Sequence, residues 1–388
     1  MLVDRFTLLA WVWRYGIRPF LFWIHAEPTH NFTRFVFSLS MKIGVLRWLT
    51  AAFFRVEDPR LHVRRFGLDF PNPVGLSAGL DKNAEWFDSL QTLGFGFIEV
   101  GTLTAQAQSG NPKPRVFRLP ADQALLNRMG CNNKGAAAAA AYLASRPIRS
   151  FLGINIGKTA CVPNESAPDD YLTTFECLYP YASYFALNIS SPNTPRLREL
   201  QAKDSLSILL RALADRNRDL ARLRDHPPKP LLVKIAPDLE DWQLDDLVEL
   251  CMELRIDGII VANTTTSREG LATPAQSVRA LGEGGISGAP LTQRSRSLVA
   301  AVYHKTRGTI PIVGVGGIMT GEDAWQMIRA GASLVQIYTG LIYNGPGLVA
   351  SIERHLLRRL SESGKTSIED AIGEASRTPA ATGSPCGV

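Results

Sequence analysis

At 388 residues the chain has room for one domain of ~250 residues with a further segment at either end. Its 42 Lys+Arg against 36 Asp+Glu leave a net charge of +6 with no concentrated basic block, which argues against a nucleic-acid partner. Five widely spaced cysteines (Cys131, Cys161, Cys177, Cys251 and Cys386) form no C-x-x-C pair, which fits a reducing compartment and argues against structural zinc.

Residues 1–57 differ in character from the rest. Between Phe6 and Ile24 lie Leu8, Leu9, Trp11, Val12, Trp13, Phe20, Leu21, Phe22 and Trp23, interrupted by Arg14 and Arg18. A second apolar stretch, Phe32 to Phe54, carries Arg34, Lys42 and Arg47. Neither offers the roughly 18 uninterrupted apolar residues of a spanning helix, and no secretory cleavage pattern is present. Seven Lys/Arg against three Asp/Glu, with the aromatics set apart from the arginines, suit amphipathic helices lying on an anionic lipid surface. Burying three large aromatics contributes roughly 4–9 kcal/mol, and each basic residue near anionic lipid adds about 1 kcal/mol. That is enough for reversible attachment as a peripheral membrane protein. The competing reading is a helical pair packed on the rest of the chain or on a partner. The start, with Asp4 and little serine, is a poor transit peptide, which favours the cytoplasmic face of a bacterial inner membrane over a mitochondrial one.

From residue 58 to 361 the chain alternates. After a strand-like pair near Arg60–Phe70, short apolar runs occur at Val74–Leu80, Phe95–Gly101, Phe151–Ile156 and Tyr184–Ile189. Others follow at Leu231–Ile235, Gly258–Ala262, Ile312–Val315 and Leu334–Ile337. Helical stretches are predicted at Ala84–Leu93, Gly135–Ala144, Ser205–Leu223, Leu239–Leu254, Ser295–Lys305 and Gly321–Arg329. Eight buried strands alternating with helices predict an α/β protein of (β/α)8 TIM-barrel class. An open doubly wound sheet is the alternative, but no G-x-G-x-x-G opens a helix after the first strand. Residues 362–388 are expected to be a largely disordered tail, because Arg377 onward holds few apolar residues.

In such a barrel the strand ends carry the chemistry. Tyr184 to Pro195 is the most telling stretch: a strand-like run stops in Asn188, Ser190, Ser191, Asn193 and Thr194, stiffened by Pro192 and Pro195. Other strand ends bring Ser77–Asn83, Thr102, Asn155, Lys234, Asn263–Thr265 and Tyr338–Gly340, with Arg115, Arg118 and Asn127–Asn133 between. Asparagines both donate and accept, so a ring of them reads a ligand that alternates C=O and N–H. Gly314, Gly316 and Gly317 after the seventh strand, with Tyr338-Thr-Gly340 after the eighth, match the usual phosphate site of these barrels. That signal covers flavin mononucleotide, pyridoxal phosphate and sugar phosphates alike. No histidine stands at a strand end and no H-E-x-x-H or carboxylate cluster offers metal ligands, so no metal is expected.

Several motifs occur in a recognisable order. They are Gly75-Leu-Ser-Ala-Gly-Leu-Asp-Lys-Asn83, Gly94-Phe-Gly-Phe-Ile-Glu-Val-Gly-Thr102, Asn111-Pro-Lys-Pro-Arg-Val-Phe-Arg118 and Asn127-Arg-Met-Gly130. Asn188-Ile-Ser-Ser-Pro-Asn-Thr-Pro195, Asn263-Thr-Thr265, Gly284-Gly-Ile-Ser-Gly288, Gly314-Val-Gly-Gly317 and Tyr338-Thr-Gly340 follow. Together they closely resemble the dihydroorotate dehydrogenase family, in its class 2, membrane-associated and quinone-reducing form, from about residue 20 to 360. Ser191 and the apolar extension fit class 2; class 1 members use a cysteine base at a different loop position and lack the N-terminal helices.

The resemblance implies oxidation of (S)-dihydroorotate to orotate in pyrimidine synthesis, with one FMN per chain and a membrane quinone as electron acceptor. Ser191 would be the base that removes the C5 proton while a hydride leaves C6 for flavin N5. A serine hydroxyl is a poor base near neutral pH, so Thr194 is expected to relay its proton. Lys82, Asn127, Arg128, Met129, Gly130, Cys131, Asn188, Asn193, Asn263 and Thr264 would hold the substrate. Ala78, Gly79, Leu80, Asp81, Lys82, Thr102, Asn155, Asn188, Lys234, Ala262, Gly285, Gly317, Tyr338 and Thr339 would hold the flavin. A Lys234 charge ~4 Å from the flavin would stabilise its reduced form by up to about 4 kcal/mol at an effective dielectric near 20. His30, Arg118 and Tyr338 would line the quinone site, reached between the N-terminal helices, in a protein expected to be monomeric.

Two positions depart from the family pattern. Cys131 stands where phenylalanine is usual, and Arg196 replaces the glycine of a common Pro-Gly-Leu. Neither removes a proposed catalytic group. Rival readings are a Schiff-base lyase acting through Lys234, a catalytically dead membrane scaffold, and a soluble fumarate- or nicotinamide-coupled dehydrogenase.

Overall fold

The computed structural model of this chain describes residues 5–377. Eight parallel strands close into a barrel: β1 Val74–Leu76, β2 Phe97–Leu103, β3 Phe151–Ile156, β4 Tyr184–Asn188, β5 Leu231–Ile235, β6 Gly258–Val261, β7 Ile312–Val315 and β8 Ala332–Ile337. Neighbours around the barrel follow chain order, and β8 pairs back onto β1. Every strand residue except Phe151 is buried, which is why the strands read as unbroken apolar runs rather than alternating ones.

The lower interior is filled by the rings of Phe97 and Tyr184. A Cβ at Gly75 would stand 2.2 Å from the Phe97 ring, and one at Gly153 would stand 2.1 Å from that of Tyr184. Only glycine leaves room there. The antiparallel pair Val63–Arg65 and Leu68–Phe70 closes the base, with the Phe70 ring 5.3 Å from Phe97 and 5.0 Å from Phe151. Outside, helix Lys203–Leu223 buries Leu206, Leu209, Leu210, Leu213 and Leu220, the three-to-four spacing of a single helical face. Leu209→Ala would cost about 2–5 kcal/mol through lost burial and a cavity. Helix Gly321–Ala330 starts in a reciprocal cap, Asp323 N–H to Thr320 Oγ1 at 3.2 Å and Thr320 N–H to Asp323 Oδ2 at 2.9 Å.

Three sequence expectations are corrected. The helix expected over Ala84–Leu93 is delayed to Phe87–Leu90, followed by a 3-10 turn at Gln91–Leu93. The Asp81 carboxylate accepts the N–H groups of Glu85 and Trp86, each at 2.9 Å, and holds the intervening turn. Second, Val116–Leu119, Ala124–Asn127 and Gly285–Gly288 form an antiparallel sheet that the sequence reading did not foresee. Its own small core is Leu119, Ala124, Leu126 and Ile286. Third, the tail expected to be disordered from residue 362 is packed as far as Arg377. Ile368 and Ala371 are fully buried, and Glu374 receives both Lys365 (2.7 Å) and Arg329 (3.0 Å). The rest of that expected tail, with Cys386, lies outside the described residues.

The N-terminal segment is helical: Arg5–Trp11, a wider π-helical stretch Val12–Ile17, Arg18–Trp23, Ala26–Ser40 and Gly44–Phe54. No single helix among the described residues is long and apolar enough to cross a membrane; the last two together would be, but they are bent by 108°. Polar anchors fix this layer over the barrel mouth. Arg34 pairs with Glu85 at 2.6 Å, Glu27 with Arg115 at 2.7 Å, and Trp13 Nε1 donates to the Ile342 carbonyl at 3.3 Å.

Candidate active site

A cavity of about 450 Å³ opens from the barrel interior, past the carboxyl ends of the strands, to the underside of the N-terminal helices. Its floor is set by strand-end side chains: Ser77, Thr102, Asn155, Asn188, Lys234, Ala262 and Gln336. The irregular register of β2 against β3 between Gly101 and Leu103 leaves Thr102 as the extra residue. Its hydroxyl donates to Asn155 Oδ1 at 2.6 Å and accepts from Asn188 Nδ2 at 2.8 Å.

One wall is the loop after β4. The Tyr171 hydroxyl donates to the Asn188 carbonyl at 2.9 Å, and the Asn263 carboxamide donates to Asn188 Oδ1 (3.2 Å) and Ser190 Oγ (3.0 Å). Ser191 follows, 8% exposed, with its oxygen accepting the Asn193 N–H at 3.3 Å. Asn193 reaches the opposite wall, donating from Nδ2 to Asn127 Oδ1 at 3.1 Å, while Asn111 Nδ2 donates to the Asn193 carbonyl at 3.1 Å. Thr264 completes this side, its N–H bonded to Asn263 Oδ1 at 2.8 Å. Lys82, Met129, Gly130 and Cys131 face the same space. Burial pulls the Lys82 ammonium below its ordinary pKa.

The structure separates three expected site residues from the cavity. Arg128 turns away: its guanidinium lies over the Phe117 ring and donates to the carbonyls of Leu281, Glu283 (3.1 Å) and Pro114 (3.2 Å). Asp81 is fully committed to the turn described above. Gly285 lies beneath Thr264, whose Oγ1 would be 2.0 Å from a Cβ there. The Thr194 hydroxyl, expected to relay from Ser191, donates instead to Cys131 Sγ at 3.7 Å. Lys234 also differs from the bare charge expected of it. Its ammonium donates to Glu99 Oε1 at 3.2 Å and Ser77 Oγ at 3.1 Å. The remaining expected residues all line the cavity, including Ala78, Gly79, Leu80, Ala262, Gly317 and Thr339. Glu99 and Gln336 were missed. A carboxylate in the middle of a strand buried on both faces was the available signal, since a buried charge needs partners.

The far side is formed largely by backbone. Gly316 and Gly317 have φ of 113° and 75°, and a Cβ on Gly317 would stand 2.2 Å from the Thr292 nitrogen. After β8 a short helix, Thr339–Asn344, begins at the same place, and the leading N–H groups of a helix have no acceptor within it. Gly79, at φ 107°, leaves a gap beside the Tyr338 ring that a Cβ would narrow to 3.3 Å. A side-chain-free cradle and an amide-lined floor are the parts a flavin mononucleotide would need. Among the described residues no group of three or more His, Cys, Asp or Glu could hold a metal ion.

Above the ring gap the cavity becomes apolar, between Leu21, Phe22, Ala26, Thr33 and Phe37. Arg118, whose guanidinium sits 4.5 Å above the Phe22 ring, donates to the carbonyls of Phe22 (3.3 Å) and Ile24 (2.5 Å) where the helices break. His30 meets the Trp86 ring edge-on at 5.7 Å; burial, aided by the Lys82 and Arg34 charges, pushes its pKa down to about 4, so it is neutral near pH 7. Burial raises the Tyr338 phenol to about 12, which keeps it protonated.

A model of the dihydroorotate dehydrogenase family matches residues 60–360. The chain is 49% identical over 356 residues to a dihydroorotate dehydrogenase (quinone) of Gloeobacter violaceus, covering 92% of this chain and 97% of that one. It is 46% identical over 353 residues to the protein of that name from Rhodococcus erythropolis, covering 91% and 96%. The solved structure of ligand-free dihydroorotate dehydrogenase from Eimeria tenella superposes with a TM-score of 0.77 at 38% identity, covering 86% of this chain and 98% of that one. A closed eight-stranded barrel with this rim, matched over this length, has one reading: the chain belongs to the dihydroorotate dehydrogenase family, in its class 2, quinone-type branch.

Proposed function

We propose that Ser191 is the base with which this chain oxidises (S)-dihydroorotate to orotate, the redox step of pyrimidine synthesis, with a membrane quinone as final acceptor. The observation that carries the reading is the position of that hydroxyl. It is nearly buried, its oxygen is fixed by the Asn193 N–H, and it faces a pocket that also holds Lys82, Asn127, Asn193 and Asn263. The Lys82 ammonium suits the substrate carboxylate. The carboxamides suit the alternating C=O and N–H edge of the pyrimidine. Ser191 takes the C5 proton, which Thr194 would relay by turning its hydroxyl away from Cys131.

The Gly316–Gly317 turn and the start of helix Thr339–Asn344 would hold the phosphate of FMN, and Lys234, Asn155 and Thr102 its ring edge. When bound, the flavin supplies the acceptor for the C6 hydride. His30, Arg118 and Tyr338 would meet the quinone at the polar end of the apolar channel. The N-terminal helices would rest on a lipid surface. A Schiff-base lyase is disfavoured because Lys234 Nζ is tied to Glu99 Oε1 at 3.2 Å and Ser77 Oγ at 3.1 Å rather than free to attack a carbonyl.

Anaerobic mixing with dihydroorotate should bleach the flavin absorbance, and added quinone should restore it. Ser191→Ala should slow the bleaching by about 10²–10⁴-fold, the usual worth of a general base, while still binding orotate. Unchanged bleaching in that variant rules Ser191 out.

A further inference from the structure

Glu99 lies in the middle of β2 with its side chain fully buried, and all four of its acceptor positions are filled. Oε1 accepts from Asn155 Nδ2 at 2.9 Å and Lys234 Nζ at 3.2 Å. Oε2 accepts from the Tyr184 hydroxyl at 3.2 Å and Gln336 Nε2 at 2.8 Å. Burying a charge carries a heavy desolvation cost that such donors offset; the carboxylate itself is fully satisfied, while Gln336 Oε1 is buried without a hydrogen bond.

Two consequences reach the cavity. The first is charge: Lys234, which lines the cavity, carries its counter-ion 3.2 Å away, so the site feels an ion pair rather than an isolated cation. The second is order. A carboxylate only accepts, so Asn155 must turn its NH2 group toward Glu99 and its Oδ1 toward Thr102. The Thr102 hydroxyl must therefore donate to Asn155, which leaves its oxygen to accept from Asn188 Nδ2. Asn188 Oδ1 is then the acceptor for Asn263 Nδ2. The same order is imposed from the other end, where the Thr264 N–H donates to Asn263 Oδ1 at 2.8 Å and the Ser190 N–H to Asn188 Oδ1 at 3.4 Å, so what Glu99 alone contributes is its charge.

We propose that Glu99 is a positioning residue for the dihydroorotate reaction: it sets the charge Lys234 presents to the flavin. This rests on the flavin and substrate assignment above. Glutamine at position 99 would keep the shape and remove the counter-charge.

The test uses the full flavin-loaded chain, with reductive titration for the midpoint potential and the orotate-induced change in the flavin spectrum for affinity. Glu99→Gln should bind reduced over oxidised flavin about tenfold more favourably than the parent, an upward shift of about 30 mV for a two-electron couple. Its orotate affinity should stay close to the parent's, because the Thr264 and Ser190 N–H groups still hold Asn263 and Asn188. A potential equal to the parent's, with only flavin content or Tm reduced, would mean a structural role alone and overturn the proposal. Should Glu99→Gln not fold, Tyr184→Phe removes one donor while keeping the carboxylate charge. Its potential should then move downward, with orotate affinity kept, and an unmoved potential overturns the proposal equally. A colourless parent protein is a different failure, that of the flavin assignment itself.

Discussion

The Thr194 hydroxyl donates to Cys131 Sγ at 3.7 Å, so the loop that carries Ser191 is latched onto a thiol of the opposite wall. Cys131 lines the cavity, is half-buried, and adopts φ 50°, its carbonyl held by Gln108 Nε2 (3.0 Å) and Asn133 Nδ2 (2.8 Å). A small neutral alkylating reagent should therefore modify Cys131 and stop turnover, and orotate should protect it. Cys131→Ala should keep kcat within about tenfold of the parent, ~1.4 kcal/mol, because Thr194 loses only a weak sulfur acceptor. Peptide mass analysis with and without orotate checks this. Equal labelling in both would place the thiol outside the substrate pocket.

Glu353, on helix Leu348–Glu362, is fully buried and neither carboxylate oxygen has a hydrogen-bond partner. Burial therefore raises its pKa well above the ordinary 4.5. A folded-state pKa above the unfolded one means that the native protein holds a proton the unfolded chain releases. Stability is then fully present below pH 4.5 and declines as pH rises toward the folded value. Glu353→Gln removes the titration, so its Tm advantage over the parent should be near zero at pH 4.5 and widen to a few °C by pH 8. Chemical or thermal unfolding of both proteins across that range is the measurement. A constant offset between them would show that Glu353 has the same ionisation folded and unfolded.

How much of this could be read from residues depends on how local the cause is. The runs Phe151–Ile156, Leu231–Ile235 and Ile312–Val315 coincide with β3, β5 and β7, because burial on both faces leaves an unbroken apolar signature. The sheet of Val116–Leu119, Ala124–Asn127 and Gly285–Gly288 left no such mark. Its strands have four residues each, and the third joins from more than 150 residues away. Residue order likewise does not disclose aim: Arg128 sits between the cavity residues Asn127 and Met129, yet its side chain leaves the pocket for the carbonyls of Leu281 and Glu283. Sequence suggested disorder from residue 362, but Ile368, Ala371 and Ile372 are enough to seat the segment on the barrel.

The N-terminal layer makes the last prediction. Of 21 exposed large apolar side chains among the described residues, 17 lie between Leu8 and Leu49, with Trp23 93% exposed and Trp48 67% exposed. Scattered exposed apolar residues need no explanation, but this density on one segment marks a contact surface. The same helices roof the apolar arm of the cavity through Phe22, His30 and Phe37, so a lipid-borne quinone would enter where the protein meets the bilayer. Each fully buried tryptophan is worth about 1.5–3 kcal/mol or more, so replacing Trp23 and Trp48 together by serine should weaken binding to anionic vesicles by roughly 100-fold or more. Reduction of a soluble dye by dihydroorotate should be untouched, since neither tryptophan lines the cavity, while reduction of a long-chain quinone held in vesicles should fall in step with binding. Deleting residues 1–57 should push this to the limit, removing quinone reduction while flavin binding survives. If the double variant binds vesicles as the parent does, the exposed face belongs to some other contact and the quinone has to arrive by another route.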